Sequence, residues 1–246
     1  MIDRKILSVT GQDRVSFLQG LVSNDVAKLN GGIVYAAMLT PQGKYIADFF
    51  IIDQDERFLI DVASSFSAVL FQRLMMYKLR SNVEITETDL KVKCGFDDLP
   101  PDGALTDPRL AALGWRLYGY VDGGEDDFDA LRVEHIIPES GIELTPDAFI
   151  LEQGFERLNG VDFRKGCYVG QEVTARMKHK TELRKGLARV KIEGVAVTGD
   201  KILSGSKEAG ILHTISGDRA IAYLRFDRAN DEMIAGQAKV WLDYRP

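Results

Sequence analysis

Two apolar runs, Ile33 to Leu39 and Tyr45 to Ile52, stand on either side of Pro41-Gln42-Gly43. Proline presets a bend and glycine tolerates the positive φ of a tight loop, so the two runs read as an antiparallel hairpin. A hairpin commits this part of the chain to an antiparallel sheet. Arg57 to Val62, after the charged turn Asp53-Gln54-Asp55-Glu56, extends it. Val83 to Thr86, Leu90 to Phe96 and Trp115 to Val121 read as further strands, the last after a Pro/Gly-rich stretch from Pro100 to Gly114. Helical spacing is confined to three places. Asp13 to Leu21 carries Val15, Phe17, Leu18 and Leu21 near one face, with Asp13 as a cap, and stops at Ser23-Asn24-Asp25. Ser64 or Ser65 caps a second helix with Val69, Leu70, Leu74 and Leu79. A third runs from about Asp127 to Ile137, after a linker at Gly123-Gly124-Glu125-Asp126-Asp127, and ends before Pro138.

Beyond residue 183 the character changes. Leu187 to Ile192, Lys201 to Leu203, Gly210 to Ser216, Ala220 to Leu224 and Ala238 to Tyr244 are short strands with regular Gly/Asp turns, the spacing of a small antiparallel barrel or sandwich. The 246 residues allow one large domain or a few small ones. A net charge of −6 argues against a broad nucleic-acid face, and no stable nucleic-acid complex is expected. Two cysteines cannot build a disulfide framework, and Met1 to Leu7 contains no secretory signal. No segment approaches the length of a membrane helix. The expectation is a cytoplasmic monomer that does not bind membranes. His135, His179 and His213 are scattered without metal-ligand spacing, so no metal site is expected.

One segment departs from this ordinary pattern. Arg164-Lys165-Gly166-Cys167-Tyr168-Val169-Gly170-Gln171-Glu172 sets a cysteine between two glycines. From Arg164 to Lys185 there are seven Lys/Arg against Glu172 and Glu182, a local balance of +5. Nearby cations favour a thiolate and draw anionic ligands, which makes Cys167 the candidate reactive group. Asp48 is a second candidate, because a carboxylate within the apolar run Tyr45 to Ile52 is costly unless paired or hydrogen-bonded. The alternative for Asp48 is an outward-facing edge position.

Three stretches together resemble one superfamily: Phe17-Leu18-Gln19-Gly20-Leu21-Val22-Ser23-Asn24-Asp25-Val26, Leu39 to Asp48, and Lys165 to Glu172 with Arg176. This is the folate-binding superfamily that includes the T-protein (aminomethyltransferase) of the glycine cleavage system, and the cysteine motif is similar to the hallmark of its YgfZ-type branch. The resemblance implies an α+β protein. An interwoven T-protein-like folate-binding module of antiparallel sheets with helices would occupy residues 1–183, its second subdomain about 45–124. A small C-terminal antiparallel β-barrel would occupy 184–246. It implies tetrahydrofolate or a one-carbon derivative as cofactor, held by Asp48, Glu134, Lys165, Tyr168, Gln171, Glu172 and Arg176, with Cys167 as the catalytic thiol. It also implies a role in assembling or repairing iron–sulfur clusters in client enzymes, among them radical enzymes that modify tRNA. The alternative is aminomethyl or one-carbon transfer of the glycine cleavage type. Against that stands Ala47, where the T-protein branch tends to carry a second acid beside Asp48. A third reading is an interaction module that binds no folate.

Overall fold

The computed structural model describes residues 3–96, 99–121, 128–179, 182–229 and 232–246. The expected linker at residues 123–127 and Lys180 of the basic stretch lie outside them. In chain order the elements are β1 (Arg4–Thr10), α1 (Arg14–Gln19), β2 (Ile33–Leu39), β3 (Tyr45–Gln54), β4 (Arg57–Ala63), α2 (Ser64–Lys78), β5 (Glu84–Glu87), β6 (Lys91–Gly95), β7 (Leu105–Thr106), β8 (Trp115–Gly119), α3 (Asp129–His135) and α4 (Gln171–Lys178). Six strands follow: β9 (Lys185–Glu193), β10 (Lys201–Ser204), β11 (Lys207–Ser216), β12 (Arg219–Arg225), β13 (Met233–Ala235) and β14 (Ala238–Tyr244). They form two compact units, Met1–Asp126 with Phe155–Ala175, and Asp127–Gly154 with Arg176–Pro246. The fold is α+β with antiparallel sheets, a chain that interleaves its units, and a closed C-terminal barrel.

The first unit is built on a five-stranded sheet in the order β2-β3-β4-β1-β5, with the expected β2–β3 hairpin at one edge. Alternation along β3 divides its side chains between two covered faces. Ala47, Phe49 and Ile51 join Leu7, Val9, Ile60, Val62, Leu70 and Leu74 in one apolar core, which α1 and α2 help to close. The opposite face carries Tyr35, Asp48, Phe50 and Asp61, all buried. Over it lie residues of the three-stranded sheet β6-β8-β7 and of the chain after β7. Arg116 of β8 donates to Asp61 of β4 at 2.6 Å, and its guanidinium sits 3.9 Å from the centre of the Phe50 ring. Both faces of the sheet being covered explains why β3 reads as a nearly unbroken apolar run.

Strands β1 and β7 and helix α4 were not expected from the sequence, and two local details differ as well. Asp13 precedes α1 but makes no capping bond; its carboxylate instead accepts from the backbone N–H of Asn82 at 2.7 Å. Helix α2 begins at Ser64 after Ala63, so neither Ser64 nor Ser65 is its cap.

In the second unit β10-β11-β12-β9-β14-β13 close into a barrel. Closure depends on β13, a three-residue strand that hydrophobic patterning does not reveal; it pairs with β10 through Ile202↔Ala235 and Leu203↔Ile234. Ala188, Val190, Ile202, Leu212, Leu224 and Val240 fill the interior.

Candidate functional site

Cys167 is exposed, on a loop that the first unit holds at several points. Lys165 donates from Nζ to the backbone oxygen of Gln19 at 2.8 Å and to that of Val22, both beyond or at the last turn of α1. A cation there satisfies carbonyls that the short helix leaves without partners. The same ammonium lies 4.8 Å from the centre of the Tyr168 ring. Burial pulls the Lys165 pKa down to about 8. Val169 donates its N–H to Gly20 at 3.3 Å. Gln171 Oε1 accepts from the Tyr168 N–H at 3.3 Å, and the Thr174 hydroxyl donates to Gly170 O at 3.3 Å. Tyr168 is half-buried and hydrogen-bonds Thr174; burial raises the pKa of its phenol.

The two glycines flanking Cys167 play unequal parts. Gly170 has φ +86°, and a Cβ there would come within 2.6 Å of Thr40 O and 2.9 Å of Leu39 Cβ. Gly43, at the tip of the β2–β3 loop, packs against Val173 so closely that a Cβ would meet the Val173 Cβ at 2.8 Å. The hairpin tip and the cysteine loop therefore touch backbone to backbone, and these two positions require glycine. Gly166 has nothing within 4 Å of a Cβ position and carries no such requirement.

The charges around the thiol are arranged differently from the simple sum. Lys165 is turned inward onto carbonyls, whereas Arg164 and Arg176 remain exposed. Glu172 is also exposed, one residue into α4. Beside the loop is an open cleft of about 340 Å³ lined by Asn24, Glu156, Asn159, Asp162, Phe163 and Arg164 among others. Neither Asp48 nor Glu134 lines it.

Asp48 is 4% exposed, so it is not an outward-facing edge residue. Its carboxylate accepts from the Tyr35 hydroxyl at 2.9 Å and the Tyr45 hydroxyl at 2.7 Å. Residues three apart in a regular strand face opposite ways. Here the β2–β3 register runs Met38↔Ala47 then Leu39↔Tyr45, which leaves Ile46 as an extra residue and swings Tyr45 onto the face of Asp48. Tyr35, opposite Phe50, is the diagonal neighbour on that face. Burial first, and then the Asp48 charge, raise the Tyr35 pKa well above its ordinary value. Sequence patterning missed both phenols, because the bulge that brings one of them round has no composition of its own.

Glu134 lies in the second unit, at the end of α3 and half exposed. Its carboxylate oxygens meet Arg189 and Arg219 at 2.7 Å each, and the Arg189 hydrogen bond holds its pKa down. Two phenols already donate to Asp48 and two guanidinium groups to Glu134. As placed, Asp48 does not fit a folate site, because it is buried and already accepts from two phenols, whereas Glu134 is half exposed and held by two arginines.

Residues 4–94 match the GCVT N-terminal domain family, and residues 184–243 match the CAF17 C-terminal beta-barrel domain. The chain is 35% identical over 218 residues to the iron-sulfur cluster assembly factor IBA57 homolog, mitochondrial, of Mycosarcoma maydis, covering 74% of this chain and 54% of that protein. It is 32% identical over 232 residues to the mitochondrial iron-sulfur cluster assembly factor IBA57 of Mus musculus, covering 78% of this chain and 65% of that protein. The chain thus spans between about half and two thirds of these curated relatives. These relatives overturn the cytoplasmic expectation, since both are named as mitochondrial. They also point to IBA57 in place of the YgfZ-type branch and its tRNA-modifying clients. Aminomethyltransferase T of the glycine cleavage system from Bartonella henselae superposes with a TM-score of 0.77 over 97% of this chain and 82% of that one, at 14% identity. The chain therefore has the T-protein-like fold with a CAF17-type terminal barrel, and its sequence is similar to that of IBA57 assembly factors.

Proposed function

We propose that this protein is a mitochondrial iron–sulfur cluster assembly factor in which Cys167 lends one thiolate to a cluster shared with a partner. The observation that carries the reading is an exposed thiol on a loop clamped by Lys165, Val169 and Gly170, in a chain similar to named assembly factors. Iron–sulfur clusters are usually held by four ligands, mostly thiolates. Cys94 is buried at 3% exposure, and its thiol pKa is raised by that burial. Among the described residues no group of three or more His, Cys, Asp or Glu is placed to hold a metal ion. A cluster reaching this chain would thus keep most of its ligands on the protein that brought it. In the exchange the Cys167 thiol loses its proton to solvent, its sulfur bonds iron, and the displaced partner thiolate takes up a proton. The clamped loop keeps the thiol in one exposed position, which lowers the ordering cost of that exchange.

The test is titration of a cluster-loaded iron–sulfur carrier protein into wild type and Cys167→Ser, followed by visible circular dichroism. A spectral change in wild type that is absent in the variant is expected. Identical spectra from the two would remove Cys167 from the mechanism. The side chain is exposed, so the substitution leaves the fold intact.

Tetrahydrofolate is a second reading, supported by the T-protein-like fold alone. It predicts saturable heat on calorimetric titration of wild type. No heat at ligand concentrations in the hundreds of micromolar would end it. Aminomethyl transfer draws no support beyond that fold, since Ala47 stands beside Asp48 and both are buried.

A further inference from the structure

Helix α2 turns Leu70 and Leu74 into the core of the first unit, with Phe66, Phe71 and Tyr77 packed against it. A surface helix normally presents charged or polar residues on its other side. This one does not. Ser65, Ala68, Val69, Gln72, Met75, Met76 and Leu79 share the outward side, and none is charged. Val69 is 36% exposed, Met75 43%, Met76 57% and Leu79 87%. The helix is apolar on both sides yet covered on only one.

Leu79 adds an independent observation. Its backbone has φ 38° and ψ −103°, and the Ser81 N–H donates back to Lys78 O at 2.7 Å. That is the first inner position of a type II′ turn, where glycine is the favoured residue. A bulky leucine held there in solvent is strained and gains nothing from the first unit's core. Arg73, Lys78 and Arg80 flank the face, and among the described residues none has an ion-pair partner. In a chain with a net charge of −6, the charged residues of α2 and its following turn, 64–80, are cations only.

We propose that the outward face of α2 docks an acidic amphipathic helix of a partner protein, its apolar stripe on Val69, Met75, Met76 and Leu79 and its carboxylates on Arg73, Lys78 and Arg80. Methionine side chains adapt to the surface of a protein partner. A second copy of this chain would oppose like-charged borders. A bilayer-inserted face usually carries Trp, Phe or Leu in place of Gln72 and Ser65. The inference goes beyond the cluster reading and does not depend on Cys167.

The test uses a stapled, fluorescein-labelled peptide helix of about 18 residues, with leucines at the spacing of one helix face and flanking glutamates, and a twin with flanking lysines. Fluorescence anisotropy should show wild type binding the glutamate peptide at least about tenfold more tightly than the lysine peptide. The double variant Arg73→Glu, Arg80→Glu should invert that order. Leu79→Gly should weaken binding of the glutamate peptide while raising Tm, a pairing that a purely structural role for Leu79 does not produce. Equal affinity for the two peptides overturns the proposal, as does binding that survives the double charge reversal. So does self-association by light scattering that Met76→Glu abolishes, or adsorption to phosphatidylcholine–phosphatidylglycerol vesicles without binding to either peptide.

Discussion

Lys165 shows how much a single side chain can change role between sequence and structure. In the sequence it is one of the cations around Cys167; in the fold its ammonium caps backbone carbonyls of the first unit beneath Tyr168. No carboxylate forms an ion pair with it among the described residues, so burial dominates and its pKa falls from 10.5 to about 8. A neutral amine still offers two N–H donors, enough for its two carbonyl acceptors. The folded state releases this proton before the unfolded chain does. Stability therefore rises as pH increases from about 8 towards 10.5, and below about 8 this group contributes no slope. Urea denaturation across that window should show the rise in wild type relative to Lys165→Met. Parallel curves would mean that the ammonium is better solvated than its surroundings indicate. The motif marked Cys167 as the candidate reactive group, and the structure places it on an exposed loop. It could not show that Gly170 is required by the hairpin tip while Gly166 is not, because that requirement comes from Leu39 and Thr40, some 130 residues away in the chain.

Among elements, the informative feature is the charged layer over the second face of the five-stranded sheet. Asp61 of β4 accepts from Arg4 of β1 at 2.6 Å, from Arg116 of β8 at 2.6 Å and from the Tyr118 hydroxyl at 2.9 Å. Asp107 takes Arg109 through both oxygens, and three guanidinium groups surround the Phe50 ring. Burial alone would raise the Asp61 pKa, but Arg4 and Arg116 outweigh it and hold it below 3.8. Its contribution to stability is thus present above the unfolded value and is lost as pH falls through the lower folded one. Asp61→Asn leaves Arg4 facing an uncharged partner and Arg116 with, among the described residues, only the Asp107 carboxylate, at 3.4 Å. It should cost on the order of 3–5 kcal/mol at neutral pH, measured by urea denaturation. A loss under 1 kcal/mol would mean that water reaches the pair. None of these pairings was legible in the sequence, since Arg4, Asp61 and Arg116 are brought together only by strand order. Most strands were legible through alternation and turn residues, but β1, the two-residue β7 and the three-residue β13 were not, the last two being too short to show a period.

At the scale of the whole molecule, local signals and long-range packing divided the work unequally. Hairpin chemistry at Pro41-Gln42-Gly43, the short strands after residue 183 and the Gly-Cys-Tyr-Val-Gly segment are local, so the sequence by itself determined the antiparallel character, the run of short terminal strands and the cysteine loop, while the pairing of β13 with β10 decided that those strands close into a barrel. Side-chain period and turn residues act over a few positions, and a few positions suffice to read them. Tertiary structure decided what each charged residue does. It turned Asp48 into an acceptor for two phenols through a bulge at Ile46, gave Glu134 to the barrel's arginines, and left the outward side of α2 uncovered. The physical reason is that a charge takes its meaning from the partners and the solvent it meets. Those partners come from distant parts of the chain, joined only when the sheets pair.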